Sequence, residues 1–112
     1  MHAVVETPEF LTAAKTAGMS DAERELAITI IAERPDAGEI IVGSGGARKV
    51  RIPRQGGGKS GGYRVVTYYL GTDTPVILLT VISKGQSANL SDRQLRTVKD
   101  TAKAEKRSRR AI

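Results

Sequence analysis

Apolar residues recur at helical spacing through the first third of the chain, after a short apolar stretch at residues 2–6 that predicts a strand. Thr7 followed by Pro8 is typical of a helix start, because the threonine side chain can cap first-turn amides and proline fits the first helical position. Ser20 and Glu23 have the spacing of a capping box, which predicts the start of a second helix. Pro35 ends that helix, so the pattern predicts a helical hairpin.

The middle of the chain changes to an alternation of two residues. Between residues 48 and 52 the apolar side chains fall on one face and Lys49 and Arg51 on the other, which predicts a half-buried strand with a cationic face. Residues 63–70 are rich in valine, threonine and tyrosine, which favour strands. Residues 76–82 are nearly all apolar, which is typical of a central strand covered on both sides. The loops between these runs contain glycine, so we expect antiparallel neighbours.

The last element is predicted to be a helix. Ser91 and Gln94 form a second capping box, and Leu95 and Val98 begin one apolar stripe. Residues 105–112 are predicted to be a frayed basic tail. The order is therefore β-α-α-β-β-β-α, an α+β fold with a small antiparallel sheet packed with helices. A chain of 112 residues is expected to form a single domain, residues 1–112.

The charges are unevenly distributed along the chain, which has a net charge of +6. Residues 1–39 hold eight acids and three bases, whereas residues 73–112 hold four acids and nine bases. Between Glu39 and Asp73 there is no carboxylate, and the six cations of that interval are Arg48, Lys49, Arg51, Arg54, Lys59 and Arg64. A concentrated positive field beside glycine-rich backbone suits a polyanion, above all a phosphodiester.

Other functional classes find little support in the sequence. There is no cysteine and a single histidine, so we expect neither a metal site nor another cofactor. No apolar run approaches the roughly 20 residues of a membrane helix, and the first residues lack the features of a signal peptide. The absence of cysteine fits a reducing cytoplasm, which is the expected location.

The cationic stretch favours binding and cleavage of RNA. Cleavage without a metal can use the ribose 2′-hydroxyl as nucleophile, and it needs a base, an acid and charge stabilisation at the phosphate. Arg51 and Arg64 are the predicted phosphate clamps, because arginine stays protonated. Lysine is the best available side chain for proton transfer, and the candidates are Lys49, Lys59 and Lys84. Additional RNA contacts are predicted for Arg48, Arg54, Tyr63 and Tyr68, although tyrosines on strands more often fill cores.

These residues carry a resemblance to the RelE/HigB family of bacterial toxin–antitoxin toxins. The matching segments are GSGGARKVRIP, GKSGGYRVVTYY, VILLTVISKGQ and the late helix from LSDRQL. The order of elements is similar along nearly the whole chain. The long Gly/Lys loop between two strands looks most like the HigB branch of the RelE/ParE superfamily.

The resemblance implies a metal-independent endoribonuclease that cuts mRNA in the ribosomal A site and so inhibits translation. It also implies a co-encoded antitoxin, commonly a helix-turn-helix protein, through which the toxin would contact operator DNA. Lys49 and Arg51 fall on the basic strand of the family's site, and Arg64 falls on its phosphate-binding arginine. Lys59 lies in the preceding loop, and Lys84 lies in a turn where the family places further catalytic residues.

One departure from the family pattern leaves alternatives open. Relatives of the HigB type often have a tyrosine two positions before the lysine that Lys84 matches, and here that position is Ile82. A catalytically weak module that binds RNA or the antitoxin is therefore one alternative. A second is a toxin of the related ParE kind, which poisons DNA gyrase. The cluster of Lys49, Arg51 and Arg64 argues against the gyrase alternative, because a protein target does not require it.

Overall fold

A computed structural model describes residues 2–53, 62–71, 73–83 and 90–110 of the chain. Eight elements follow one another: β1 (Val4–Glu6), α1 (Pro8–Thr16), α2 (Asp21–Glu33), β2 (Glu39–Ile40), β3 (Arg48–Pro53), β4 (Gly62–Tyr69), β5 (Val76–Ser83) and α3 (Asp92–Arg110). The α+β class and the order of the predicted elements are confirmed. The short strand β2 is an addition to the predicted order.

The three helix starts predicted from capping residues are confirmed in atomic detail. The Thr7 hydroxyl accepts a hydrogen bond from a first-turn amide of α1 at 3.1 Å. In α2 the Ser20 hydroxyl accepts from the Glu23 amide at 3.1 Å, and the Glu23 carboxylate accepts from the Ser20 amide at 2.9 Å. Ser91 and Gln94 repeat this reciprocal pair at the start of α3. Each cap satisfies amides that have no partner within their own helix.

The five strands form one mixed sheet in the order β1-β5-β4-β3-β2. Strands β3, β4 and β5 pair antiparallel, as expected, and the added strand β2 is antiparallel to β3, but β1 pairs parallel with β5. The predicted sheet was antiparallel throughout. Short loops fix the direction only of strands that follow one another, whereas the direction of β1 is set by the helical hairpin that carries the chain to the opposite edge of the sheet.

Helices cover both faces of the sheet and create two apolar clusters. The first cluster packs α1 and α2 against one face, and its largest fully buried side chains are Tyr63, Phe10, Ile31, Ile52 and Leu78. The second packs Val98 and Ala102 of α3 against the other face, on Ala47, Val66, Tyr68, Ile77, Leu79 and Ile82. The central strand β5 contributes to both clusters, which confirms the prediction that it is covered on both sides.

Helix α3 is longer than the sequence pattern suggests. The structure continues it to Arg110, so residues 105–110 extend the helix where a frayed tail was predicted. Basic residues near a helix C-terminus interact favourably with the helix dipole, which gives a physical reason for the extension. Within the described ranges, no helix is both long and apolar enough to cross a membrane.

Candidate nucleic-acid interface

The pairing of β3 with β4 brings the predicted cations together on one face. Arg51 lies directly opposite Arg64, and Arg64 lies opposite Ile82 on the next strand. Directly opposed residues have their Cβ atoms about 5 Å apart. Lys49 lies two residues before Arg51, so strand alternation places it on the same face. Three of the predicted phosphate-contacting and proton-transfer residues therefore share one surface, on the α3 side of the sheet.

This arrangement places three positive charges on one face, where Glu39 lies directly opposite Lys49. Opposed like charges destabilise a pair of strands. Among the described residues, no carboxylate forms an ion pair with Lys49 or Arg64. An anion bound between the two strands would lower the repulsion.

A groove of about 220 Å³ adjoins the cations, between the sheet and the start of α3. Its walls come from β2 and the turn after it, β3, β5, the residues just before α3 and the first part of α3. The lining residues are Glu39, Ile40, Ile41, Val42, Lys49, Ile82, Leu90 and Leu95. Within this lining, Val42 is 91 % exposed, which is unusual for a large aliphatic side chain. The surface thus combines apolar walls with one carboxylate and neighbouring cations.

The turn between β2 and β3 fixes one wall of the groove. The buried Ser44 hydroxyl donates to the carbonyl of Ile41 at 2.6 Å and accepts from the amide of Ala47 at 2.9 Å. Leu95 of α3 packs on this turn, because a Cβ added to Gly43 would lie 3.5 Å from Leu95 Cδ2. The turn and α3 are therefore in contact. The groove is formed by elements that pack on each other.

Helix α3 adds further cations beside the same turn. Lys99 lies close to Gly45, since a Cβ added there would be 3.8 Å from Lys99 Cγ. Successive residues of a helix are 100° apart. Arg96, Lys103 and Arg107 therefore lie on the side of α3 opposite the buried Val98 and Ala102, with Lys99 at the edge of that side. All four side chains are exposed. Asp100 falls on the same side by this spacing, so positive charge predominates along this side of α3 without being continuous.

The remaining predicted site residues lie elsewhere. Arg48 is on the opposite face of β3, where its guanidinium donates to the carbonyl of Gly38 at 3.2 Å. Tyr68 is 8 % exposed and packs in the second apolar cluster. Neither residue is placed beside Arg51 and Arg64 for direct contact with a shared phosphate. Arg54, Lys59 and Lys84 lie outside the described residues.

Tyr63 is a core residue, which does not support the prediction that it stacks on a base. It is 2 % exposed on the α1–α2 face, and its hydroxyl contacts the Glu23 carboxylate at 3.2 Å and the Gly18 carbonyl at 3.3 Å. Glu23 is itself 5 % exposed. This carboxylate therefore joins the start of α2 to the start of β4, immediately before Arg64.

That Glu39 and Ile82 line one groove was not foreseen from the sequence. Glu39 is the last carboxylate before the acid-free interval, and its pairing opposite Lys49 places it in the groove. Ile82 is 3 % exposed and belongs to the second apolar cluster while also lining the groove. In the sequence, Glu39 is only the boundary of the interval without carboxylates. The β2–β3 register is what shows that it lies opposite Lys49.

The chain matches a protein-family model described as the RelE toxin of the RelE/RelB toxin–antitoxin system, over residues 3–111. The match spans both apolar clusters, the Arg51–Arg64 pair and the groove. It does not distinguish branches within the family, so the HigB-like assignment stays a prediction. Because the match covers nearly the whole chain, the protein belongs to the RelE toxin family and is the toxin of a toxin–antitoxin pair.

Proposed function

We propose that this toxin is a metal-independent endoribonuclease that cuts mRNA in the ribosomal A site and thereby inhibits translation. The observation that carries the proposal is the register of β3 and β4, which opposes Arg51 and Arg64 on the face that also holds Lys49. Two directly opposed arginines repel each other, and a phosphate bound between them would relieve that repulsion. Family membership supports an RNA target.

The chemistry requires little from the protein beyond charge and proton transfer. The ribose 2′-hydroxyl attacks the adjacent phosphorus, the bond to the 5′-oxygen breaks, and the products are a 2′,3′-cyclic phosphate and a 5′-hydroxyl. Arg51 and Arg64 stabilise the extra negative charge that develops on the phosphate oxygens. Lys49 is the described candidate for proton transfer on this face, and Lys59 and Lys84 retain the same predicted role from the sequence.

The family also supports a set of partners. A toxin–antitoxin pair implies a cognate antitoxin. We propose that the antitoxin is co-encoded, that it holds this toxin inactive, and that contact with operator DNA occurs only through it. The mRNA and the ribosome are the proposed targets of the free toxin in the cytoplasm.

The test compares Arg64→Ala with Arg34→Ala after induction of the toxin alone in growing bacteria. Arg34 is an exposed arginine at the end of α2 and provides a matched loss of one positive charge away from the site. New 5′ ends inside translated regions are mapped within minutes of induction, with and without a block to translation initiation on a reporter. We expect the new ends with the wild type and Arg34→Ala, only where translation proceeds, and none with Arg64→Ala.

Other outcomes identify other functions. Growth arrest with intact mRNA and a DNA-damage response would support the gyrase alternative. An absence of both arrest and new ends in the wild type would support a non-catalytic module. Full toxicity of Arg64→Ala would refute the assigned site, and co-purification with the antitoxin would show that each variant remains folded.

A further inference from the structure

The groove beside the cations is placed to receive a nucleobase. Ile82 lies in register with Arg64, and Lys49 lies two residues from Arg51 on the same face. A phosphate held by the arginines would therefore bring the base of the same nucleotide, or of its neighbour, to the mouth of the groove. This step rests on the proposed function, because it assumes that RNA binds at the arginines.

The walls of the groove suit the apolar faces of a base. Leu90, just before α3, and Leu95 within it are partly exposed in the groove, whereas Ile82 is buried. Ile40 and Val42 also line the groove and are exposed. Covering exposed aliphatic surface with a flat ring removes both from water, which favours binding without selecting among bases. The apolar walls contribute affinity for any base, so selection among the bases must come from a polar group within the groove.

Glu39 is the one carboxylate among the described residues that line the groove. An ionised carboxylate accepts hydrogen bonds and cannot donate them. Guanine presents two adjacent donors, N1–H and N2–H, whereas adenine and uracil each present an acceptor next to their donor on this edge. Cytosine offers one donor beside an acceptor. This donor pattern matches guanine best.

We propose that the groove binds a guanine of the mRNA next to the cleaved phosphate and that Glu39 selects it. Lys49 lies directly opposite Glu39 across the β2–β3 pair. Its charge offsets the carboxylate, so an acidic group can stand in an RNA site without repelling the phosphates. Glu39 is exposed, so its carboxylate is accessible to a ligand.

The test replaces Glu39 by glutamine and maps the cleavage ends in induced cells. Glutamine keeps the length of the side chain but both donates and accepts, a pattern that matches adenine. We expect guanine to be enriched beside the cuts of the wild type. In Glu39→Gln that preference should fall by between about fivefold and about 150-fold, the range of one good bidentate side-chain–base pair, with a gain for adenine. Glu33→Gln removes an exposed carboxylate at the end of α2, outside the groove, and should keep the guanine preference.

Each outcome separates this inference from the proposed function. Cuts in the wild type without guanine enrichment, or an unchanged preference in Glu39→Gln, would overturn the assignment of Glu39 while leaving the nuclease intact. In that case Glu39 would serve only as a cross-strand partner of Lys49. An absence of cuts in the wild type would refute the nuclease itself, and with it the groove's role in RNA selection.

Discussion

Because Arg51 and Arg64 lie opposite each other, we expect their repulsion to lower the free energy of unfolding of the free toxin. For two guanidinium groups roughly 7 Å apart, Coulomb's law gives a repulsion of about 0.6 kcal/mol in water and about 2.4 kcal/mol at an effective dielectric constant near 20. Arg51 is exposed and Arg64 is half-buried, so the lower figure applies more closely. It agrees with the roughly 0.2–1 kcal/mol found for directly opposed cross-strand pairs.

A double-mutant cycle measures this repulsion. Glutamine replaces Arg51, Arg64 or both, which removes the charges and keeps most of the aliphatic stems. Because the cycle isolates the pairwise free energy, other contacts of either arginine cancel from it. Each single substitution already removes the whole repulsion, so the sum of the two single changes counts it twice. We therefore expect the unfolding free energy of the double variant to be about 0.5–1 kcal/mol lower in low salt than additivity of the two single changes predicts. Urea unfolding at low ionic strength provides the free energies.

Salt and phosphate provide two internal controls for the cycle. At 1 M salt the screening length is about 3 Å, so the coupling should disappear. Added inorganic phosphate should raise the unfolding free energy of the wild type more than that of either variant, because binding to the folded state alone stabilises it. A coupling near zero in low salt, or one of attractive sign, would refute the claim that the sheet holds an anion-binding pair.

Three other substitutions test the framework around the site by urea unfolding. Tyr63→Phe removes the hydroxyl that contacts Glu23 and should cost about 0.5–1.5 kcal/mol, whereas a neutral result would show that this contact contributes nothing. Ser44→Ala leaves the β2–β3 turn without its buried hydroxyl and should cost about 1–3 kcal/mol, and a smaller loss would mean that water replaces it. Gly38→Ala should cost more than about 1 kcal/mol, because φ is +93° and the new Cβ would lie 2.4 Å from the Lys49 carbonyl oxygen; unchanged stability would show that the backbone relaxes freely.

The sequence predicts the local elements well because their signals are local. The reciprocal hydrogen bonds of Ser20 with Glu23 require only a spacing of three residues. The face shared by Lys49 and Arg51 follows from alternation within one strand. For such features the interacting residues are the same few residues that form the sequence pattern, so the pattern is sufficient to predict the structure.

The predictions that were wrong, and the features that were not predicted, depend on contacts between segments that are distant in the sequence. Strand β4 is apolar on both faces, so its pattern does not show that Tyr63 faces the helical hairpin while Arg64 faces α3. The parallel pairing of β1 with β5 joins residues about 70 positions apart. Glu39 enters the groove through its pairing with Lys49 and through α3, which starts at Asp92. No local pattern contains that information.

The α3 face of the sheet explains how one surface can serve both stability and function. Over one part of it, Val98 and Ala102 seal Tyr68, Ile77 and their neighbours into the second apolar cluster. Farther along the same strands the side chains opposite one another become Arg51 and Arg64, which a second apolar helix face could not cover without burying their charges. Helix α3 can therefore cover only part of this face, and the groove lies where the cover ends, beside the start of α3. The position at which apolar residues give way to cations along β3 and β4 thus determines both where the core ends and where RNA is proposed to bind.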